Sequence, residues 1–175
     1  MREAVFSRLD HYGVIEDTNV LDLFAGSGAL AIEALSRGAV RATLVEAHGP
    51  AAQICRNNLK DLGITAAHVV TDRAQDFVAR KPAQPWDVVF IDPPYNLTEE
   101  DLTLILARLE GAVHEQAVIV IERGSRSPSP TLPASWRLIT SKKYGDTALF
   151  YAEPNSESDA DAESNAGIGA DSEAQ

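Results

Sequence analysis

The chain has 175 residues, 45% of them hydrophobic, and a net charge of −11. That length gives one domain with a true core, and the acidic balance argues against a broad basic nucleic-acid footprint. No stretch approaches 18 apolar residues, no signal peptide is visible, and the single cysteine, Cys55, rules out an internal disulfide. These features predict a cytoplasmic protein in a reducing compartment, probed by neither membrane nor disulfide chemistry. Four scattered histidines and one cysteine have no metal-ligand spacing, so no metal is expected.

Strand and helix patterns alternate along the chain. Residues 2–10 read as a helix with Ala4, Val5 and Leu9 on one face. A β-type run, Asn19–Phe24, is followed by Gly26-Ser27-Gly28, and Ala29–Ser36 reads as a helix stopped by Gly38. Ala42–Glu46 is a second strand. Pro50 suits the first turn of a helix running to about Leu62, with Gly63 as its stop. Ala67–Val70 is a third strand, Arg73–Arg80 a short helix, Trp86–Ile91 a fourth strand and Glu99–Leu109 a helix. Ala117–Glu122 is a fifth strand. After the proline-rich residues 128–133, Trp136–Ser141 and Thr147–Ala152 form a hairpin joined through Lys142–Asp146, with Gly145 in its turn. Cys55, Trp86 and Trp136 are expected in the core.

Short apolar strands spaced by helices predict right-handed βαβ units and a mostly parallel α/β sheet with helices on both faces. The closing hairpin adds an antiparallel element. A domain over residues 1–154 is expected. Residues 155–175 hold six acids, no base and no aromatic residue, leaving 20 acids against 15 bases in the domain. Such a segment buries too little to offset its ordering entropy and is expected to be a disordered acidic tail. No large exposed apolar stripe is evident, so a monomer is expected.

In parallel sheets ligands sit beyond the carboxyl ends of the strands. Phe24–Gly28, Glu46, Asp72 and Asp92–Tyr95 all fall there. Leu21–Leu30 places a glycine turn between the first strand and its helix, where glycines permit positive φ and close approach of the backbone to a ligand. Gly26, Gly28 and Ala31 formally match G-x-G-x-x-A, and Glu46 follows 20 residues after Gly26; both features suit a nicotinamide dinucleotide and an oxidoreductase equally well. Three acids favour another ligand. Asp22, just before the turn, suits a cationic amino-acid moiety and would repel a pyrophosphate. Glu46 can accept both hydroxyls of a ribose. Asp72 can accept from an adenine amino group, with Ala47 or Phe77 against the ring, or it can cap the following helix. Together these demands describe S-adenosylmethionine.

Asp92-Pro93-Pro94-Tyr95 ends the fourth strand. A residue before proline is pushed to extended backbone, and neither proline has an N–H. The segment therefore offers acceptors, the Asp92 carboxylate and the Pro93 carbonyl, beside the flat face of Tyr95. This suits a planar base with an exocyclic amine. Arg123, Arg126, Lys142 and Lys143 follow in the fifth strand and the hairpin, where they could meet phosphates.

The segments Arg2–Phe6, Leu21–Ala39, Val45-Glu46, Val88–Tyr95 and Lys142–Tyr151 resemble the RsmD family of bacterial 16S rRNA guanine-N2 methyltransferases, over about residues 1–152. The resemblance implies a Rossmann-like class I fold with a seven-stranded sheet and S-adenosylmethionine as cofactor. It implies cofactor binding at Asp22, Phe24, Ala25, Gly26, Ser27, Gly28, Glu46 and Asp72, with Phe6 approaching its methionine end. Asp92, Pro93, Pro94 and Tyr95 are implied to hold the base, and 16S rRNA or the small ribosomal subunit to be the partner. Adenine-N6 methyltransferases of DNA or RNA share the Asp-Pro-Pro-Tyr tetrapeptide and remain an alternative. Family members usually carry a short basic segment before the Arg2–Phe6 helix; here the chain starts at that helix.

Overall fold

A computed structural model of the chain describes residues 1–156. Its elements in chain order are α1 (Arg2–Tyr12), β1 (Asn19–Asp22), α2 (Ala29–Ser36), β2 (Arg41–Val45), α3 (Gly49–Asp61), β3 (Ala67–Val70), α4 (Ala74–Phe77), β4 (Trp86–Ile91), α5 (Glu99–Leu109), β5 (Val113–Gly124), β6 (Trp136–Tyr144) and β7 (Thr147–Pro154). The seven strands form one sheet in the order β3-β2-β1-β4-β5-β7-β6. β1 to β5 are parallel, and β7 enters antiparallel between β5 and β6.

Local sequence explains most boundaries. The four residues of β1 are all buried, as expected of a strand covered on both faces. α1 stops at Gly13, whose φ of 66° is left-handed. Thr98 caps α5 by accepting from the Asp101 N–H, and three acids in its first turn complement the helix dipole.

One core layer holds Val5, Phe6 and Leu9 of α1, Ala31 and Ala34 of α2, and Ala52, Cys55 and Leu59 of α3 against one sheet face. The other holds Ala74, Val78 and the buried leucines and isoleucine of α5. Cys55, Trp86 and Trp136 are buried as expected. No helix among the described residues is long and apolar enough to cross a membrane.

Several ends shift by one or two residues, and three elements differ more from expectation. β5 begins at Val113, not Ala117, because Val113 pairs with Trp86 ahead of a bulge in β5 before Val118 pairs with Val88. α4 has four residues, not eight; Arg80 instead turns back to bond Asp72. The hairpin turn is only Gly145-Asp146, so Lys142, Lys143 and Tyr144 belong to β6 and pair with β7. At the other end, the Asn155 N–H donates to the Ser135 carbonyl at 2.7 Å and its side chain to Ala134 at 3.2 Å, tying the first residue of the expected tail to the domain. The rest of that tail, from residue 157, lies outside the described residues.

Candidate active site

Registers bring the acids to one edge of the sheet. Asp22 pairs with Phe90 and with Leu44, and Asp92 and Glu46 directly follow β4 and β2. Val20 and Phe90 face the α1 side of the sheet. Strand alternation then sends Asp22 and Asp92 to that same side.

Asp22 is 1% exposed, and neither carboxylate oxygen has a hydrogen-bond partner. Burial, with the Asp92 and then the Glu46 charge adding repulsion, pushes its carboxyl up to about 7. The backbone amides of Phe24 and Ala31 offset part of that shift without closing a hydrogen bond. A buried carboxylate left unpaired is costly, and it fits a cationic ligand group such as an ammonium.

The glycine turn beside it is held from three sides. The Gly26 N–H donates to Glu46 Oε2 at 2.9 Å, while the His48 N–H donates to Oε1 at 2.9 Å. From α3, Cys55 Sγ donates to the Gly26 carbonyl at 3.1 Å and Asn58 Nδ2 to the Ser27 carbonyl at 2.8 Å. Burial and the Asp22 charge push the Cys55 thiol up to about 11, so it stays protonated and can donate. Gly28 has φ +86°, and a Cβ there would stand 2.9 Å from Leu44 and 3.2 Å from Cys55. A Cβ on Gly26 would meet nothing within 4 Å, so the turn presents bare backbone outward. Ser27 lies exposed on the turn, Ala25 is buried under it, and Phe24 packs toward the α5 core layer.

Asp72 reaches the same edge, its N–H donating to the Glu46 carbonyl at 3.3 Å. Its oxygens accept from the Arg73 N–H at 2.8 Å and from Arg80 at 2.6 Å. The Arg80 hydrogen bond holds its carboxyl below the usual range. Arg73 is itself the cap residue of α4, so Asp72 does not cap that helix. Ala47 is exposed just beyond Glu46.

Two expected cofactor contacts are misplaced. Phe6 is completely buried, 5.7 Å from the Phe90 ring, so it has no surface for a ligand; Met1, Arg2 and Val5 of the same segment line the adjacent cavity instead. Phe77 lies on the opposite face, 6.3 Å from Trp86 and lining a separate cavity with Arg41, Thr43 and His68.

Two cavities flank Asp92. One, of about 300 Å³, lies between α1, α2 and the β4–β5 edge; the other, of about 520 Å³, is lined by Asp92–Tyr95, Glu122, Arg123, Gly124 and the β6–β7 turn. Asp92 is exposed at the cavity rim, yet the packing around its carboxyl desolvates it enough to raise it above its ordinary value. The Pro94 carbonyl accepts from Leu97 at 3.0 Å, whereas no donor among the described residues engages the Pro93 carbonyl. Tyr95 is fully exposed at 103%.

The basic residues divide. Arg123 is 9% exposed and donates to the Leu97 carbonyl at 3.2 Å and to Glu99, with which it forms an ion pair. It ties β5 to the end of the Asp92–Tyr95 loop and is not free for phosphates. Arg126, Lys142 and Lys143 are exposed. Thr147 pairs with both Tyr144 and Gly124, which puts the hairpin turn and its two lysines at the Asp92 end of the sheet.

Sequence reading missed Asn58, Glu122 and the second role of Cys55. The spacing of Cys55 and Asn58, three apart on α3, was the available signal, since it puts both on one helix face.

This strand order, with a glycine turn after β1 and acids along one edge, is the Rossmann-like class I methyltransferase fold. A magnesium protoporphyrin IX methyltransferase from Synechocystis, solved with bound SAM, shares that fold at TM-score 0.69 and 11% identity, covering 88% of this chain and 78% of that one. A family model described as Conserved hypothetical protein 95 matches residues 1–153, and the chain belongs to that family, the RsmD family. The Ribosomal RNA small subunit methyltransferase D of Escherichia coli K12 is 40% identical over 163 residues, 92% of this chain and 81% of that protein. The Haemophilus influenzae protein of the same name is 35% identical, covering 83% and 75%. The solved structure of yhhF from Escherichia coli is 38% identical with TM-score 0.79, covering 88% of this chain and 84% of that one.

Proposed function

We propose that this chain transfers a methyl group from S-adenosylmethionine to the exocyclic N2 of a guanine in 16S rRNA, presented by the small ribosomal subunit. The observation that carries the reading is Asp22, a buried carboxylate with two unpaired oxygens beside a backbone-lined turn and the Asp92–Tyr95 acceptors. An ammonium satisfies it; a dinucleotide pyrophosphate at that turn would meet its repulsion. Family membership, with relatives named for methylating small-subunit rRNA, supports the same substrate.

The residues divide the work. Asp22 would hold the methionyl ammonium, the Gly26–Gly28 turn would lie along the methionine and ribose, and Glu46 would accept from the ribose hydroxyls. Asp72 would receive the adenine amino group by sharing oxygens that Arg80 now occupies. When bound, the cofactor supplies a methyl already activated on a sulfonium. The protein's task is therefore positioning. The base amine is a weak nucleophile because its lone pair is delocalised into the ring. The Asp92 carboxylate and the Pro93 carbonyl would accept hydrogen bonds from its two N–H groups, turning the lone pair out of conjugation, and Asp92 would accept the one proton that is finally lost. Tyr95 would stack on the base, a contact worth about 1–3 kcal/mol. A guanine reaches this edge only unpaired or flipped out. Arg126, Lys142 and Lys143 would meet flanking phosphates. Residues 1–154, with Asn155 anchored behind them, form the methyltransferase domain.

The test is labelled-methyl transfer from S-adenosylmethionine to small subunits from a strain lacking this activity, followed by nucleoside analysis. N2-methylguanosine is expected. N6-methyladenosine would transfer the reading to the adenine class, and tight NAD binding without S-adenosylmethionine binding would remove it altogether.

A further inference from the structure

Among the described residues, Asp92 and Glu122 are the only ones that line both cavities at the substrate edge, and together they form the ridge between them. Ile91 pairs with Ile121 in parallel β4 and β5, so the two acids stand side by side at the next register position. Neighbouring strands lie about 4.8 Å apart. Val120 faces the α1 side, and alternation sends Glu122 the same way, into the company of Asp92 and Asp22. Neither the Asp92 nor the Glu122 side chain has a hydrogen bond or ion pair among the described residues. Next to them Asp22, buried and unpartnered on the same face, independently marks this edge as built for a ligand.

An ionised carboxylate only accepts hydrogen bonds. Guanine presents two neighbouring donors on one edge, the N2 amine and N1–H. Adenine presents an amine beside the N1 lone pair. With Asp92 and Pro93 on the amine and the N1 side of the base turned toward β5, the adjacent carboxylate lies beside the ring nitrogen. There a donor is welcomed and a lone pair repelled.

Resting on the proposed guanine methylation, we infer that Glu122 is the residue that selects guanine over adenine, by accepting the N1–H while Asp92 holds the N2 amine. The Asp-Pro-Pro-Tyr tetrapeptide serves the amine alone. Selectivity for the purine comes from the neighbouring strand. Glu122 is partly buried, and burial with the Asp92 charge raises its carboxyl, the N-terminal ammonium of Met1 offsetting only part of that rise. Both costs are relieved by a hydrogen-bond donor placed between the two acids.

The test uses 2-aminopurine, which keeps the N2 amine but has a lone pair at N1. Small subunits are reconstituted with 16S rRNA carrying guanine or 2-aminopurine at the position that the parent protein methylates. Initial transfer rates are then compared for the parent and Glu122→Gln, whose amide both donates and accepts. The parent should prefer guanine by ~100-fold, the scale of one good base-edge contact. In Glu122→Gln the preference should fall below ~10-fold, with S-adenosylmethionine affinity within about threefold of the parent, which also shows that the variant is folded. Normal guanine methylation by the parent with an unchanged preference in Glu122→Gln overturns this inference alone. So does a preference that is unchanged while cofactor affinity collapses, since Glu122 would then serve the cofactor. No guanine methylation by the parent overturns the parent reading and this one with it.

Discussion

The two ends of the site are built differently. At the β1–β2 end every part of the glycine turn is tied to its surroundings: Gly26 to Glu46 and Cys55, Ser27 to Asn58, Gly28 wedged between Leu44 and Cys55. Only Asp22 is left unpaired there, in a fully buried position. At the β4–β5 end the reverse holds. Among the described residues the Asp92 and Glu122 side chains and the Pro93 carbonyl have no hydrogen-bond partner and Tyr95 stands free in solvent, with Arg123 and the Leu97 N–H fixing only the end of the loop. A rigid, bare-backbone cradle suits a small ligand that is always the same. An open row of acceptors suits a base delivered by a large, separately folded RNA.

That contrast can be broken at either end. The largest effect is expected at the open end. Asp92→Ala should lower methyl transfer by at least ~100-fold, the scale seen when one preorganised polar group is removed from an active site, as measured by single turnover with saturating cofactor.

Asp22→Asn should weaken S-adenosylmethionine binding by ~2–3 kcal/mol, as for a lost charged partner in a buried pair, read by calorimetry. It should also reduce a pH dependence. The folded carboxyl titrates near 7 and the unfolded one near 3.8. Between those values the cofactor-free folded state keeps a proton that the unfolded state releases, so stability falls as pH rises through that window. Cofactor affinity should run the other way, rising toward pH 8 as the carboxylate forms. Denaturation and calorimetry at pH 6 and pH 8 should show both slopes in the parent and clearly smaller ones in Asp22→Asn, where the raised Asp92 and Glu122 carboxyls remain.

Tyr95→Ala should raise the RNA concentration for half-maximal rate by the ~1–3 kcal/mol of one stacked base. The melting temperature should not change, because the ring touches nothing that it could destabilise. The smallest effect is expected from Asn58→Ala, which removes one bond to the turn. A loss of ~1 kcal/mol in cofactor affinity is expected, with RNA affinity unchanged.

Much of the frame was legible because local chemistry marks it. Glycines bracket α2, apolar runs define β3 and β4, and Thr98 with its following acids starts α5; all four elements match expectation to the residue. The Asp22, Glu46 and Asp92 positions followed from a simple rule about strand ends. What failed depended on neighbours distant in sequence. Phe6 was expected at the cofactor and is sealed against Phe90; Phe77 faces the wrong side of the sheet. Arg123 was expected to meet RNA, yet it follows Ile119 and Ile121 on the buried α5 face of β5. Strand alternation alone would have placed it there, with Glu122 on the substrate side.

The most direct test crosses the two ends, measuring S-adenosylmethionine affinity and single-turnover transfer on both Asp22→Asn and Asp92→Ala. Asp22→Asn should lose affinity yet recover transfer to within about tenfold of the parent when cofactor is raised to saturation, since positioning of the amine is untouched. Asp92→Ala should bind cofactor within about threefold of the parent and stay ~100-fold slow at every concentration. Parental affinity in Asp22→Asn, or near-parental transfer in Asp92→Ala, would contradict the assignment of cofactor and base to opposite ends of this edge.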